Sequence, residues 1–330
     1  MDKIEELEKL KKLTKTEISL SEICKVLEKS SYEVLGLLHV LRNQGINIVT
    51  QKRNDDIYMY NHGERELNNN NKYQFVTDSQ NEFKFVVIAD TRFGSKHQQL
   101  SILNDIYEKA YAMGYKNVFL VGNISEGLEP LTSIYSEDMF LDDTFEQIDY
   151  ITENYPYIEG MKTYFITGLK DEKHLKYNKI NLGKRIGHER CDMIYLGHTS
   201  CKVLVDKTNI LILSSPLQKT YTVSYRPQQQ IDSFRSEDKP DILLFGGSLQ
   251  LEKFTYRSVK CLSIPSVCAT TREMNDRRYS NTIGAWYVTL KTDKYGNLES
   301  LKAMDSIYYK TNLDDYTKRK VLKIGGGYGR

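Results

Sequence analysis

Ile4, Leu7, Leu10 and Leu13 recur at helical spacing and predict an amphipathic helix at the start of the chain. Ser19 or Ser21 can cap a second helix that carries Ile23, Val26 and Leu27. A third helix is expected from about Ser31, with Val34, Leu37, Leu38 and Leu41 as its apolar face, ending at Asn43-Gln44-Gly45. Ile46 to Val49 and Ile57 to Tyr60 then flank the polar stretch Lys52-Arg53-Asn54-Asp55-Asp56, which reads as a hairpin. Three helices followed by a hairpin is the order of a winged helix, expected over residues 1–61.

Residues 62–81, with Asn68 to Asn71 in a row, read as a linker or exposed loop. From there the period changes. Phe85 to Ala89 is a continuous apolar run, Leu100 to Ala112 is amphipathic, and Val118 to Val121 is again strand-like and ends at Gly122-Asn123. Helical Phe145 to Asn154 leads to a third strand, Lys162 to Thr167, which ends at Gly168-Leu169-Lys170-Asp171. Such alternation predicts a layered α/β sheet whose strand ends carry the site loops. Met193 to Leu196, Ile210 to Leu213, Ile242 to Phe245 and Ala285 to Leu290 are strands without long helices between them, so this half is expected to be richer in β structure. The α/β domain is assigned to 82–312 and a basic, Gly-rich tail to 313–330.

Composition changes this picture little. The chain has 330 residues, and its 46 basic against 44 acidic side chains announce no polyanionic partner. The charged start and the lack of a long apolar run argue against a signal peptide or a membrane span, and point to the cytoplasm. Cys24, Cys191, Cys201, Cys261 and Cys268 are dispersed and contain no C-x-x-C pair, against a disulfide framework or zinc knuckle.

The strand-end loops carry the candidate chemistry. In order they are Asp90-Thr91-Arg92, Gly122-Asn123, Gly168-Leu169-Lys170-Asp171, Ser214-Ser215-Pro216 and Gly246-Gly247-Ser248-Leu249. With Asp192 to Gly197, Ser224-Tyr225-Arg226, Lys239 to Gly246, Tyr256 to Val259 and Ile283 to Trp286, their order resembles the calcineurin-like metallophosphoesterases. The likeness is to a phage and prokaryotic type in which a winged helix precedes the phosphoesterase domain. It implies a four-layer sandwich of mixed sheets flanked by helices. It also implies metal ligands in D-x-H, G-D, G-N-H-D/E, a lone His and G-H-x-H, where two metals activate a hydroxide.

Against that pattern the chain has lost its ligands. Arg92 stands for the first histidine, Asn123 for the bridging carboxylate, and Leu169 and Lys170 for the amide ligand and the leaving-group histidine. Ser215 replaces the lone histidine, and Gly247 and Leu249 replace the last pair; only Asp90 keeps its type, with Asp171 beside the set. A fixed charge on Arg92 opposes bound dications by about 4 kcal/mol per unit-charge pair at about 4 Å and an effective dielectric near 20. The expectation is therefore no metal, no cofactor and no catalytic residue. The alternative is a divergent phosphodiesterase or nuclease using manganese on Asp90 and Asn123.

Arg92 and Lys170 admit two readings. They could hold a phosphate directly, or Arg92 could pair with Asp90 on the same side of an extended segment and fill the old pocket. Lys170 could donate a proton near neutrality only if burial lowered its pKa by about three units. Residues 1 to 60 hold ten acidic and ten basic side chains, so direct DNA contact and protein docking both stay open for the winged helix. Its candidate nucleic-acid contacts are Arg42, Lys52 and Arg53, and those of the tail are Lys318, Arg319 and Lys320. The expected role is a structural or nucleic-acid-associated accessory subunit in phage or mobile-element nucleic-acid metabolism, working in a protein complex with nucleic acid possible and no membrane.

Overall fold

The computed structural model describes residues 3–14, 18–43, 46–53, 56–64, 73–130, 132–214, 222–236, 238–313, 315–317 and 323–324. It divides into two compact units, Met1–Asn69 and Asn70–Arg330.

In the first unit α1 (Lys3–Leu13), β1 (Ile18–Ser19), α2 (Leu20–Leu27), α3 (Ser31–Asn43), β2 (Ile46–Arg53) and β3 (Asp56–Glu64) follow in order. The strands form an antiparallel sheet in the order β1-β3-β2. Ser19 caps α2: its hydroxyl accepts from the Glu22 amide at 3.2 Å, and the Glu22 carboxylate accepts from the Ser19 amide at 3.3 Å. Leu10, Ile23, Val34, Leu38 and Met59 are fully buried in one core. These belong to the helical stripes of the sequence, closed by Met59 and the partly buried Ile57 of the hairpin, while Val26 is exposed.

The second unit opens with β4 (Tyr73–Phe75), β5 (Glu82–Ile88), α4 (Leu100–Ala112), β6 (Asn117–Val121), α5 (Thr144–Asn154), β7 (Tyr157–Ile158) and β8 (Lys162–Thr167). It continues through α6 (Leu169–Asn178), α7 (Leu182–Glu189), β9 (Met193–His198), β10 (Ser200–Val205), β11 (Thr208–Ser214), α8 (Tyr225–Asp232) and β12 (Ile242–Gly246). Last come β13 (Glu252–Tyr256), β14 (Val259–Ser263), α9 (Arg272–Asp276), β15 (Gly284–Thr292), β16 (Leu298–Ile307) and β17 (Lys323–Ile324), the last a short partner of β7. One six-stranded sheet runs β16-β15-β5-β6-β8-β9, the other β13-β14-β12-β11-β10-β4, and both are mixed.

Strand alternation sorts the side chains into layers. Phe85 and Val87 of β5 meet Ile212 of β11 and Leu244 of β12 in the core between the sheets. Val86 and Ile88 point the other way, onto Leu103 and Ile106 of α4, Ile148 of α5 and Ile186 of α7. On the far side of the second sheet, Leu211, Leu243 and Phe245 pack on Ile231 of α8. The result is the expected four-layer α/β sandwich, helices outside two mixed sheets. Three parallel neighbours, β5, β6 and β8, end at one edge and place the loops after Ile88, Val121 and Thr167 side by side.

Several details differ from the sequence reading. Tyr73–Phe75, inside the segment expected to be linker, pairs in parallel with β10, and Phe75 packs edge-on against Phe119 and Tyr164. The helices α6 and α7 interrupt the stretch between β8 and β9, where no helix was foreseen. Among the described residues no helix is long and apolar enough to cross a membrane.

Candidate functional site

Glycine brings the loops together. A Cβ on Gly122, at φ 80°, would lie 2.2 Å from the Ser214 hydroxyl, and one on Gly168 would lie 2.3 Å from Asn123 Oδ1. The ends of β6, β8 and β11 can close this tightly only because those two side chains are missing. Asp90, Arg92 and Asn123 also take left-handed backbone, with φ of 52°, 46° and 52°. Three such non-glycine residues at one site mark stored strain that the surrounding contacts must hold.

Those contacts are polar and buried. Asn123 donates from Nδ2 to Asp90 Oδ1 at 2.8 Å, and its Oδ1 accepts from the Lys170 amide at 3.1 Å. Both ends of the amide are thus committed. Arg92 is fully buried, with Nε 3.6 Å from Asp90 Oδ1 and Nη1 3.5 Å from Glu126 Oε1. These separations are ion-pair contact rather than hydrogen bonding. The Asp90–Arg92 pair therefore exists, but across a left-handed turn and not along the extended segment expected from the sequence.

Lys170 Nζ lies 2.8 Å from Glu126 Oε1, 2.8 Å from Glu273 Oε2 and 3.4 Å from Glu129 Oε1. Lys173 pairs with Glu129 and Arg277 with Glu273, the latter at 3.2 Å. Burial alone would lower the Lys170 pKa, but Glu126 and Glu273 more than reverse it, so the ammonium is raised and stays charged. It is no proton donor near neutrality. Burial would likewise raise Glu273, and Lys170 holds it below its ordinary value instead. Burial raises Asp90, which Arg92 and Asn123 only partly oppose.

Of the two readings of Arg92 and Lys170, the phosphate reading draws no support from this geometry. One is fully buried and the other is enclosed by three carboxylates, so neither offers uncompensated positive charge. Glu126, Glu129 and Glu273 were missed in the sequence. Glu126 and Glu129 sit in an irregular loop after β6, and Glu273 comes from α9, far along the chain. The one available hint was that buried cations require carboxylates nearby.

The other positions fall as follows. Leu169 is largely exposed at the start of α6, whereas Leu249 is fully buried and accepts from the Thr282 amide through its carbonyl at 2.8 Å. Gly247, at φ 82°, follows β12. Ser215, Lys318, Arg319 and Lys320 lie outside the described residues. Arg42 falls in α3, and Lys52 and Arg53 in β2, with their side chains outside the description. His198, the last residue of β9, meets Thr167 Oγ1 at 3.0 Å and is substantially exposed.

Two dications do not fit these residues. Asp90 Oδ1 is engaged by Asn123 and faces Arg92, Asn123 Oδ1 already accepts from the Lys170 amide, and a permanent guanidinium lies within 3.6 Å of Asp90 and 3.5 Å of Glu126. Among the described residues no group of three or more His, Cys, Asp or Glu side chains is set to hold a metal ion.

Asp171 does a different job. Its carboxylate accepts from the amides of Ser125 (2.8 Å), Ile124 (3.2 Å) and Gly168 (2.8 Å) and from the Ser125 hydroxyl (2.8 Å). Burial pushes it up to about 6, against the pull of those donors. Ser125 Oγ also meets His174 Nε2 at 3.0 Å, and His174 Nδ1 meets Thr144 Oγ1 at 2.9 Å. Burial lowers His174 from 6.5 to about 4. A histidine depressed in the folded state contributes stability that is present above its unfolded pKa and is lost as pH falls through the folded one. The displacement corresponds to ~3 kcal/mol between those limits. His174→Gln is expected to flatten the acid limb of a plot of unfolding free energy against pH from about 6.5 to 4. An unchanged slope would rule His174 out as its source.

No protein-family model and no curated protein matches the chain. Among solved structures it is similar to an archaeal phosphodiesterase, at 10% identity and TM-score 0.39 over 68% of this chain and 100% of that one. It is similar to zinc-complexed Vps29 from Entamoeba histolytica, at 12% identity and TM-score 0.35 over 68% of this chain and 99% of that one. A third likeness is the 5'-nucleotidase precursor from Thermus thermophilus, at 8% identity and TM-score 0.38 over 68% of this chain and 54% of that one.

Proposed function

We propose that the chain is a phosphoesterase-like protein whose hydrolytic site has been converted into a structural ion-pair cluster, and that it serves as an accessory subunit in phage or mobile-element nucleic-acid metabolism. One observation carries the reading: a buried guanidinium, Arg92, sits between Asp90 and Glu126 where the resemblance puts a metal centre. The ordered series of strand-end loops supports the ancestry. The arrangement helix, strand, two helices and a hairpin in the first unit, with sheet order β1-β3-β2, supports a winged helix as a docking or DNA-contact module. Such a fold does not by itself imply activity.

Metal analysis of the purified protein tests this, together with a manganese-supplemented assay on bis(p-nitrophenyl) phosphate. The expected result is substoichiometric metal and no turnover above that of Asp90→Ala. Stoichiometric metal with turnover abolished by Asp90→Ala would instead establish a divergent phosphodiesterase. Affinity purification from the native host would identify the complex; recovery of the chain alone, free of protein or nucleic acid, speaks against the subunit role.

A further inference from the structure

The start of α4 is completed by a distant part of the chain. Gln99, the residue before the helix, makes no side-chain cap. The Ser101 amide of the first turn donates instead to Asp315 Oδ2 at 2.8 Å, and the Ser101 hydroxyl does so at 2.9 Å. Asp315 opens a single 3-10 turn, Asp315–Thr317. Ahead of that turn, the buried Gln99 amide engages the Asn312 backbone: Nε2 donates to its carbonyl at 3.0 Å and Oε1 accepts from its N–H at 2.8 Å. Within the turn, Tyr316 packs on Phe140 with ring centroids 5.0 Å apart, and the Phe140 amide donates to the Gly94 carbonyl at 3.0 Å. The segment thus touches both the Gly94 and the Gln99 ends of the loop that follows Arg92. On its upstream side it is anchored, since the Tyr308 amide donates to the Ile283 carbonyl at 2.9 Å and its hydroxyl to Asp105 at 2.6 Å.

Beyond that anchor the attachment is almost wholly polar. Tyr309 and Leu313 are 90% and 85% exposed, so apolar burial contributes little apart from the Tyr316 ring. Asp315 is fully buried, yet its Oδ1 has no hydrogen-bond partner among the described residues, a cost that release into water removes. We propose that the segment carrying Asn312, Asp315 and Tyr316 is a strap that opens as a unit about Tyr308, with Asp315 as its latch. Opening uncaps α4 and loosens the loop from Gly94 to Gln99 while both sheets stay folded, because few buried apolar contacts tie the strap to them. Whatever draws Asp315 off α4 therefore also frees the backbone beside Arg92. The inference goes beyond the proposed function and holds for an active or an inactive site.

The test is native-state hydrogen exchange on the full chain in increasing, sub-denaturing urea. The probes are the amide of Asn312, which donates to Gln99, and that of Gly94, which donates to Gln98 Oε1 at 3.2 Å; neither bonds to Asp315. Val87 and Phe119, fully buried in β5 and β6, report global unfolding. In wild type, Asn312 and Gly94 are expected to exchange faster than Val87 and Phe119 and with little urea dependence, the mark of a small local opening. Asp315→Ala is expected to speed both probes by at least ~10-fold without adding urea dependence, and Asp315→Asn, which keeps one acceptor oxygen, to fall between. Wild-type probes that share the urea dependence of Val87 overturn the proposal, because the segment would then open only with the whole domain. Unchanged exchange at Asn312 or at Gly94 in the alanine variant overturns it as well. If that variant does not fold, the wild-type urea dependence decides alone.

Discussion

Arg190→Met is expected to lower the unfolding free energy by ~3–5 kcal/mol, the cost of breaking a buried pair from one side. Arg190 closes α7 and is fully buried. Its Nε and Nη2 meet Asp192 at 2.7 and 2.6 Å, while Nη1 donates to the carbonyls of Thr152 and Tyr155 and Nη2 to that of Pro156, each at 3.0 Å. The guanidinium thus ties α7 to the C-terminal end of α5, where the helix dipole also favours a cation. Methionine fills the volume but removes the donors that Asp192 and three carbonyls share. Lysine restores charge without the planar fork and is expected to recover only part of the loss. Urea unfolding at constant m-value measures this; a change within about 1 kcal/mol would show that the network is dispensable.

Asp171→Ala is expected to cost on the order of 4 kcal/mol, because three buried amides and one hydroxyl lose a single shared acceptor. The carboxylate stitches the loop after β6 to the first turn of α6, the two segments that carry Asn123 and Lys170. Asp171→Asn keeps one acceptor oxygen and is expected to cost about half as much. Hydrogen exchange gives a local check. The amides of Ile124, Ser125 and Gly168 should lose protection first in the alanine variant. Uniform loss across both sheets would mean that the effect is global rather than local.

The two buried arginines show where sequence reading stopped. Arg190 carries no motif, yet its five donors are all satisfied; Arg92 stood inside a recognisable motif, yet its partners were only half legible. Asp90 was visible as a partner because it lies two residues away. Glu126 and Glu273 were not, because strand-end loops and a late helix bring them in from distant parts of the chain. The same limit applied to Tyr73–Phe75: a short segment beside an asparagine run shows no strand period, and only β10 gives it a ladder to join. Continuous apolar runs and helical spacing, by contrast, located the main strands and α4 and α5 closely. Those patterns are local consequences of which face must be buried.

The order of apolar runs was enough to imply a layered α/β sheet with loops at its strand ends, since that depends on residue type at fixed positions along one chain; the four-layer architecture came from the resemblance those loops carry. Tertiary structure alone decided what surrounds Arg92 and Lys170. Whether a buried cation binds phosphate, releases a proton or locks a core depends on the carboxylates within a few ångströms of it, and Coulomb energy falls with spatial distance, not with separation in sequence.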